Sequence, residues 1–286
     1  MDARTGKKIR RGRLFNPSSG RTLIVAYSHG LLLGPGPGLR TRADLERTVR
    51  ALRAADGVMI SPGLVTLLED AFVGKDAPSL AVEVDWQSFS RAVLPYTEGA
   101  VTSLATVEQL AATGADLLMS YLYVGFDDPE RERMEVARNA ALARACERHG
   151  LLLMIEPRSA REKSVPADKS DPAVMGLYAR MGAEIGADMV KVIDPGNDEA
   201  LAEIVAGCPA PVLLAGGARK DSATAAEARA RAALRAGCAG LVFGRNIYQS
   251  PDPAAALATY RRIVHDEVDA DTRYVDTVYG TVGPAM

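Results

Sequence analysis

The sequence predicts an α/β protein of one domain, a single-domain (β/α)8 TIM barrel. From Thr22 onward, short apolar runs alternate with amphipathic stretches rich in alanine and arginine, and eight such pairs can be counted. That rhythm belongs to repeated βα units around a parallel sheet. Gly150, Gly186 and Gly237 each close a helical pattern and each precedes an apolar strand, the usual place for glycine just past a helix end. No linker or Rossmann fingerprint argues for an open doubly wound sheet, and eight right-handed units close most economically because closure removes both sheet edges.

Taken in order, the first unit pairs a strand over Thr22 to Tyr27 with a helix over Arg42 to Ala54, and the second pairs Gly57 to Ser61 with Gly63 to Phe72. The third strand runs from Leu80 to Val84. The pattern between Trp86 and Leu104 is irregular and reads as loop, after which Thr106 caps a helix over Val107 to Thr113. Next come Leu117 to Tyr123 with Pro129 to His149, then Leu151 to Ile155 with Pro172 to Ile185. The last three units are Asp188 to Ile193 with Asp198 to Ala206, Pro211 to Ala215 with Ser222 to Ala236, and Gly240 to Phe243 with Pro253 to Asp266. Continuous apolar runs rather than alternating ones suit parallel strands covered on both faces. Around the barrel at 21–267, residues 1–20 read as a solvated basic arm, with Arg4, Lys7, Lys8, Arg10, Arg11 and Arg13. Residues 268–286 read as a C-terminal extension carrying Tyr274 and Tyr279.

Composition narrows the function classes. A net charge of −2 over 286 residues gives no global attraction to nucleic acid or to an anionic membrane. No apolar run reaches the roughly 18 residues of a membrane span, and the basic N-terminus lacks the apolar region of a signal peptide. Cys146, Cys208 and Cys238 are far apart, suggesting neither disulfides nor zinc, and a reducing cytoplasm fits. With only His29, His149 and His265, no multi-histidine metal site is expected, and His29 is read as a satisfied core histidine.

The residue that needs a reason is Lys191, set inside the apolar run Ala187-Asp188-Met189-Val190-Lys191-Val192-Ile193-Asp194. Burying an ammonium without a partner disfavours its charge and frees a nucleophilic amine, the requirement for Schiff-base formation with a carbonyl substrate. The plainer reading is a strand-end lysine that snorkels to solvent or pairs with Glu156 or Asp194.

Barrel strands converge on one mouth at their C-terminal ends. Gly216 and Gly217 end the seventh strand and Gly244 and Arg245 the eighth; glycines there admit backbone N–H groups to a phosphate, and arginine adds charge. Tight βα turns alone would also use such glycines. Ser28, Tyr121, Tyr123, Glu156 and Asp194 are the groups available for proton transfer or substrate binding beside an imine. Alternation puts Tyr121 and Tyr123 on one face, without saying which. The loop Gly34-Pro35-Gly36-Pro37-Gly38 lacks nucleotide-loop spacing and reads as a rigid connection.

In order along the chain, these residues resemble a known family. Arg13-Leu14-Phe15-Asn16, Ser28-His29-Gly30 with Gly34-Pro35, Tyr123-Val124-Gly125, Glu156-Pro157-Arg158, Gly186-Ala187-Asp188-Met189-Val190-Lys191, Gly207-Cys208-Pro209-Ala210-Pro211-Val212, Ala215-Gly216-Gly217 and Gly244-Arg245-Asn246-Ile247-Tyr248-Gln249 resemble the archaeal-type class I aldolases. That family includes class I fructose-bisphosphate aldolase, 2-amino-3,7-dideoxy-D-threo-hept-6-ulosonate synthase and the autoinducer-2 phosphate thiolase; the synthase branch looks nearest. The resemblance spans about Arg10 to Asp266. It implies a (β/α)8 barrel, Lys191 as the Schiff-base lysine, and a sugar phosphate on Gly216, Gly217, Gly244 and Arg245. Two departures stand out: the family's Asp-His-Gly is Ser28-His29-Gly30 here, and its Tyr-Pro-Arg-Gly is Glu156-Pro157-Arg158-Ser159.

The expectation is therefore a cytoplasmic, homo-oligomeric, metal-independent class I aldolase that needs no cofactor. Lys191, Glu156 and Tyr123 are its catalytic candidates, and Gly216, Gly217, Gly244, Arg245, Ser28 and Asp194 its substrate-binding ones. Its partners are small: a phosphorylated ketose or dihydroxyacetone phosphate and an aldehyde such as aspartate semialdehyde, with no nucleic acid and no membrane. Rival readings are a transaldolase- or thiolase-type transferase using the same lysine, and a barrel that only binds a sugar phosphate.

Overall fold

Eight parallel strands close a barrel, and the one-residue alternation of their side chains divides the interior into two cores. This is a computed structural model, and it describes residues 2–91, 93, 99–169, 171–219 and 222–267. The expected C-terminal extension, with Tyr274 and Tyr279, lies outside the described residues.

The chain begins with α1 (Ala3–Leu14), β1 (Thr22–Ala26), a single turn α2 (Gly30–Leu33), α3 (Arg42–Ala51) and β2 (Gly57–Ile60). Where a helix over 63–72 is expected, two 3-10 segments form, Pro62–Leu64 and Thr66–Phe72. Then follow β3 (Ser79–Glu83), β4 (Asp85–Gln87), β5 (Val101–Ser103), α4 (Val107–Ala112), β6 (Leu117–Val124), α5 (Pro129–His149) and β7 (Leu152–Ser159). A 3-10 turn (Pro166–Lys169) leads to α6 (Pro172–Ile185), β8 (Met189–Val192), α7 (Asp198–Gly207), β9 (Val212–Ala215), α8 (Ala223–Arg235), β10 (Gly240–Phe243), α9 (Arg245–Tyr248) and α10 (Pro253–His265).

Around the barrel the order is β1, β2, β3, β6, β7, β8, β9, β10 and back to β1. The irregular stretch expected as loop instead carries β4 and β5, which pair antiparallel from Asp85↔Ser103 to Gln87↔Val101. Buried Asp85 holds this hairpin to the barrel: it accepts from Ser120 Oγ (2.7 Å) and Tyr121 N (2.8 Å) and pairs with Arg138 (2.7 Å).

Outward residues such as Val58, Val82, Leu118, Leu153, Val190 and Leu241 pack under the helices, while Met59, Ala81, Met119, Met154, Met189 and Leu213 fill the barrel. The helices start where the sequence supplies a capping oxygen. Thr106, Asp128, Asp171, Asn197, Ser222 and Asp252 each accept a bond from the first turn, each contributing about 1 kcal/mol.

The basic N-terminal segment is not a solvated arm. Helix α1 lies across the bottom of the barrel, with Leu14 and Phe15 joining the inner core. Several of its cations have partners there. Lys7 Nζ, buried, donates to both carboxylate oxygens of Asp188 at 2.9 and 2.7 Å, and Arg10 donates to Gly150 O (3.0 Å) at the C-terminus of α5, where carbonyls and the helix dipole favour positive charge. On the same side His265 bridges Ser19 Oγ and Asp56 Oδ2, both at 2.9 Å. The bottom is thus closed, which leaves the opposite mouth for chemistry.

Candidate active site

Inner-facing positions repeat every second residue, so the strand register places the chemistry. Met119, Met154 and Met189 form an apolar floor. Two residues further along the same strands stand Tyr121, Glu156 and Lys191, with Tyr121 the register partner of Glu156. Both tyrosines in question therefore face the barrel interior.

Lys191 is 7% exposed, and its Nζ lies 2.6 Å from Glu156 Oε2. Of the two readings the sequence left open, the pairing with Glu156 is present, a carboxylate from the neighbouring strand, and a cavity stands beside it. Burial alone would push the Glu156 carboxyl up, but the cations of Lys191 and Arg158 outweigh it and hold it below the usual carboxylate range. Arg158 is clamped in turn, donating to Glu156 Oε1 (3.1 Å) and with both arms to Glu162 (2.8 and 2.6 Å).

A cavity of about 460 Å³ opens beside this pair. Gly216, Gly217, Gly244 and Arg245, which follow β9 and β10, line the same cavity. Gly244 admits no side chain, since a Cβ would sit 2.4 Å from Ala26 O and 2.7 Å from His29 Cε1. Gly217 is left-handed, with φ of 67°, which glycine adopts without strain. Asn246 Nδ2 donates to Gly216 O (3.1 Å), tying the two loops together. Arg245 Nε is buried with no partner among the described residues.

Three candidates fall elsewhere. Tyr123 is fully buried and stacked on Phe89 with ring centroids 3.7 Å apart; Tyr121 lines the cavity instead. Asp194 is engaged outside the cavity by Arg229 Nε (2.7 Å). Ser28 is 2% exposed and donates to Glu83 Oε2 at 2.5 Å, so it meets a carboxyl rather than the cavity.

Other residues have a larger place at the site than the sequence reading gave them. His29 lines the cavity rather than the core; burial, with help from the Arg245 and Lys191 cations, pushes it down to about 3, so it is neutral at physiological pH. Glu83 is buried on the inner wall, and burial pushes it up to about 7. Tyr121 is pushed well above the usual phenol by burial and by Glu83 and Glu156, and stays a proton donor. Arg91, Lys163 and Lys169 add positive charge to the cavity wall. Alternation from Ala81 would have pointed to Glu83; nothing comparable marks the loop lysines.

Comparison with known proteins points to an aldolase family. A model of the DeoC/LacD family aldolases matches residues 22–250. The 2-amino-4,5-dihydroxy-6-oxo-7-(phosphonooxy)heptanoate synthase of Streptomyces griseus is 31% identical over 264 residues, 91% of this chain and 90% of that one. A 3-hydroxy-5-phosphonooxypentane-2,4-dione thiolase of Yersinia pestis is 28% identical over 271 residues, covering 94% and 86%. Among solved structures, an archaeal fructose-1,6-bisphosphate aldolase, whose catalytic lysine is covalently bound to the carbinolamine intermediate of its substrate, superposes with a TM-score of 0.76 at 22% identity, covering 91% of this chain and 99% of that one.

Proposed function

The chain belongs to the DeoC/LacD family of aldolases, and from that premise we propose that Lys191 forms the Schiff base of a class I aldolase that joins a three-carbon keto-phosphate, dihydroxyacetone phosphate, to an anionic aldehyde. The observation that carries this reading is the Lys191 Nζ to Glu156 Oε2 contact of 2.6 Å at the edge of a cavity also lined by Gly216, Gly217, Gly244 and Arg245.

The protons balance within the pair. Glu156 takes one proton from the Lys191 ammonium, and the free amine adds to the ketone carbon. A second proton passes from nitrogen to the new alkoxide, giving a carbinolamine. Glu156 then returns its proton to that hydroxyl, water leaves, and an iminium remains with one hydrogen on nitrogen. Ionised again, Glu156 can take the proton from the adjacent carbon to make the enamine. The enamine carbon attacks the aldehyde carbon, and the aldehyde oxygen takes a proton from Glu156 or through Tyr121. Water adds back to the iminium and frees the product.

Gly216, Gly217, Gly244 and Arg245 hold the phosphate in this reading. The loops after the last two strands and a short added helix, here α9, are where barrels bind phosphate, and the buried Arg245 Nε gains an acceptor. Tethering one end keeps the reacting carbons in register with Lys191.

For the aldehyde, Arg91, Lys163 and Lys169 on the cavity wall favour an anionic group. The product named for the Streptomyces griseus relative has a phosphate at one end and an amino acid at the other. Adding dihydroxyacetone phosphate to aspartate semialdehyde gives that skeleton, and we assign the same pairing here. Three free, buried cysteines support a reducing compartment.

Borohydride reduction in the presence of dihydroxyacetone phosphate should add the mass of the reduced adduct at Lys191, and product analysis with a panel of aldehydes should favour those bearing a carboxylate. An unmodified Lys191 would overturn the reading; adduct formation with acyl transfer to coenzyme A and no aldol product would replace it with the thiolase reaction.

A further inference from the structure

The mechanism above uses one carboxylate of the barrel layer and leaves a second unexplained. Glu83 ends β3 two residues beyond inward-facing Ala81, so it faces the barrel interior. It is 2% exposed, its Oε2 accepts from Ser28 Oγ at 2.5 Å, and its Oε1 is buried with no partner among the described residues.

The groups that act on it electrostatically or by hydrogen bond come from five elements or their ends: Ser28 after β1, Asp85 on β4, Tyr121 on β6, Glu156 on β7 and Lys191 on β8. The charged ones are already balanced. Asp85 pairs with Arg138, Glu156 with Lys191 and Arg158, and Arg158 also with Glu162. Among the described residues no cation lies within ion-pair distance of Glu83, so an ionised Glu83 would be an uncompensated charge in a dry layer.

We propose that Glu83 is a positioning residue of this site: Ser28 fixes its place, burial without a cation keeps its carboxyl group neutral while Glu156 is ionised, and Glu83 so sets the charge under which Lys191 gives up its proton. This rests on Lys191 being the Schiff-base residue. With Glu83 neutral, proton transfer from Lys191 to Glu156 leaves two neutral groups and a free amine. With Glu83 ionised, the added negative charge holds Lys191 as ammonium and imine formation slows.

The consequence runs opposite to that of a simple lysine nucleophile, whose rate rises with pH. Adduct formation with dihydroxyacetone phosphate, timed by quenching into borohydride at one fixed pH, should fall about tenfold between about pH 6 and about pH 8 as a group near neutrality ionises. In Glu83→Gln the fall should vanish. In Ser28→Ala, which removes a bond favouring the ionised form, the fall should move to higher pH; this variant decides the matter if Glu83→Gln does not fold. A fall unchanged in both variants, or no fall in the parent protein, would overturn the proposal. Should no adduct form at all, the Schiff-base reading fails separately, and infrared spectroscopy of the unliganded protein still decides for Glu83: a buried carboxylic acid C=O band near neutral pH, lost in Glu83→Gln, supports it, and absence of the band refutes it.

Discussion

Nζ of Lys191 and Oε2 of Glu156 stand 2.6 Å apart on neighbouring strands β8 and β7, with a cavity on one side and the methionine floor beneath. An ion pair in this position is not merely structural, because the same two groups can exchange the proton on which the amine's reactivity depends. Lys191→Ala should abolish the borohydride adduct. Glu156→Gln, which keeps the shape but not the base, should lower turnover by about 100-fold to 10,000-fold, and the double variant should be hardly worse than Lys191→Ala because the pair acts as a unit. Steady-state kinetics with intact-mass trapping reads all three; a Glu156→Gln enzyme of parental rate would remove Glu156 from the chemistry.

The two tyrosines of β6 separate by depth. Tyr121 borders the cavity, whereas Tyr123 lies under Phe89 with its ring nearly parallel, at 12°. Tyr121→Phe should cost turnover by about tenfold or more through loss of a proton donor. Tyr123→Phe should leave turnover within about twofold. Equal losses in both would return Tyr123 to the candidate list.

How far the sequence revealed this site depended on what each signal encoded. Strand ends and periodicity point Lys191, Glu156, Gly216, Gly217, Gly244 and Arg245 to the barrel mouth, and all six line the cavity there, because local hydrophobic pattern sets those positions. Choosing Tyr121 over Tyr123 needs the height of the mouth, which depends on how the β4–β5 hairpin and Phe89 cover the end of β6. Asp194 and Ser28 were drawn away by partners distant in sequence, Arg229 and Glu83. The N-terminal basic cluster looked solvated because its partners, Asp188 and the carbonyl of Gly150, are apparent only once the barrel closes.

That closure gives a stability test. Lys7 and Asp188 form a buried pair with side chains 11% and 4% exposed, and Asp188 also accepts from Leu153 N at 2.8 Å. Removing one member of a buried pair leaves the other charge poorly compensated, at a cost of about 3 kcal/mol. Lys7→Ala should therefore lower the unfolding free energy by about that amount, while Lys8→Ala, at an exposed position, should leave it unchanged. Urea titrations of the two variants compare them directly, and equal effects would mean that α1 is not clamped to the barrel.

The two carboxyls of the site should pull stability in opposite directions as pH changes. Glu156 is held below the usual range by its cations, against burial, so its contribution is present above the ordinary carboxylate value and is lost as pH falls through the folded-state value. Glu83 is raised by burial from 4.5 to about 7. Between those values the folded chain keeps a proton that the unfolded chain has released, so stability declines as pH rises across that window and levels off above it. The full decline is about 3 kcal/mol. Glu83→Gln removes the titration but keeps an oxygen to accept from Ser28. Relative to the parent protein, the variant should gain stability steadily from about pH 4.5 to about pH 7 and no further beyond. Unfolding free energies measured across this range give the difference curve. A difference that does not change with pH would mean that Glu83 ionises as readily folded as unfolded, and the neutral carboxyl beside Lys191 would have to be abandoned.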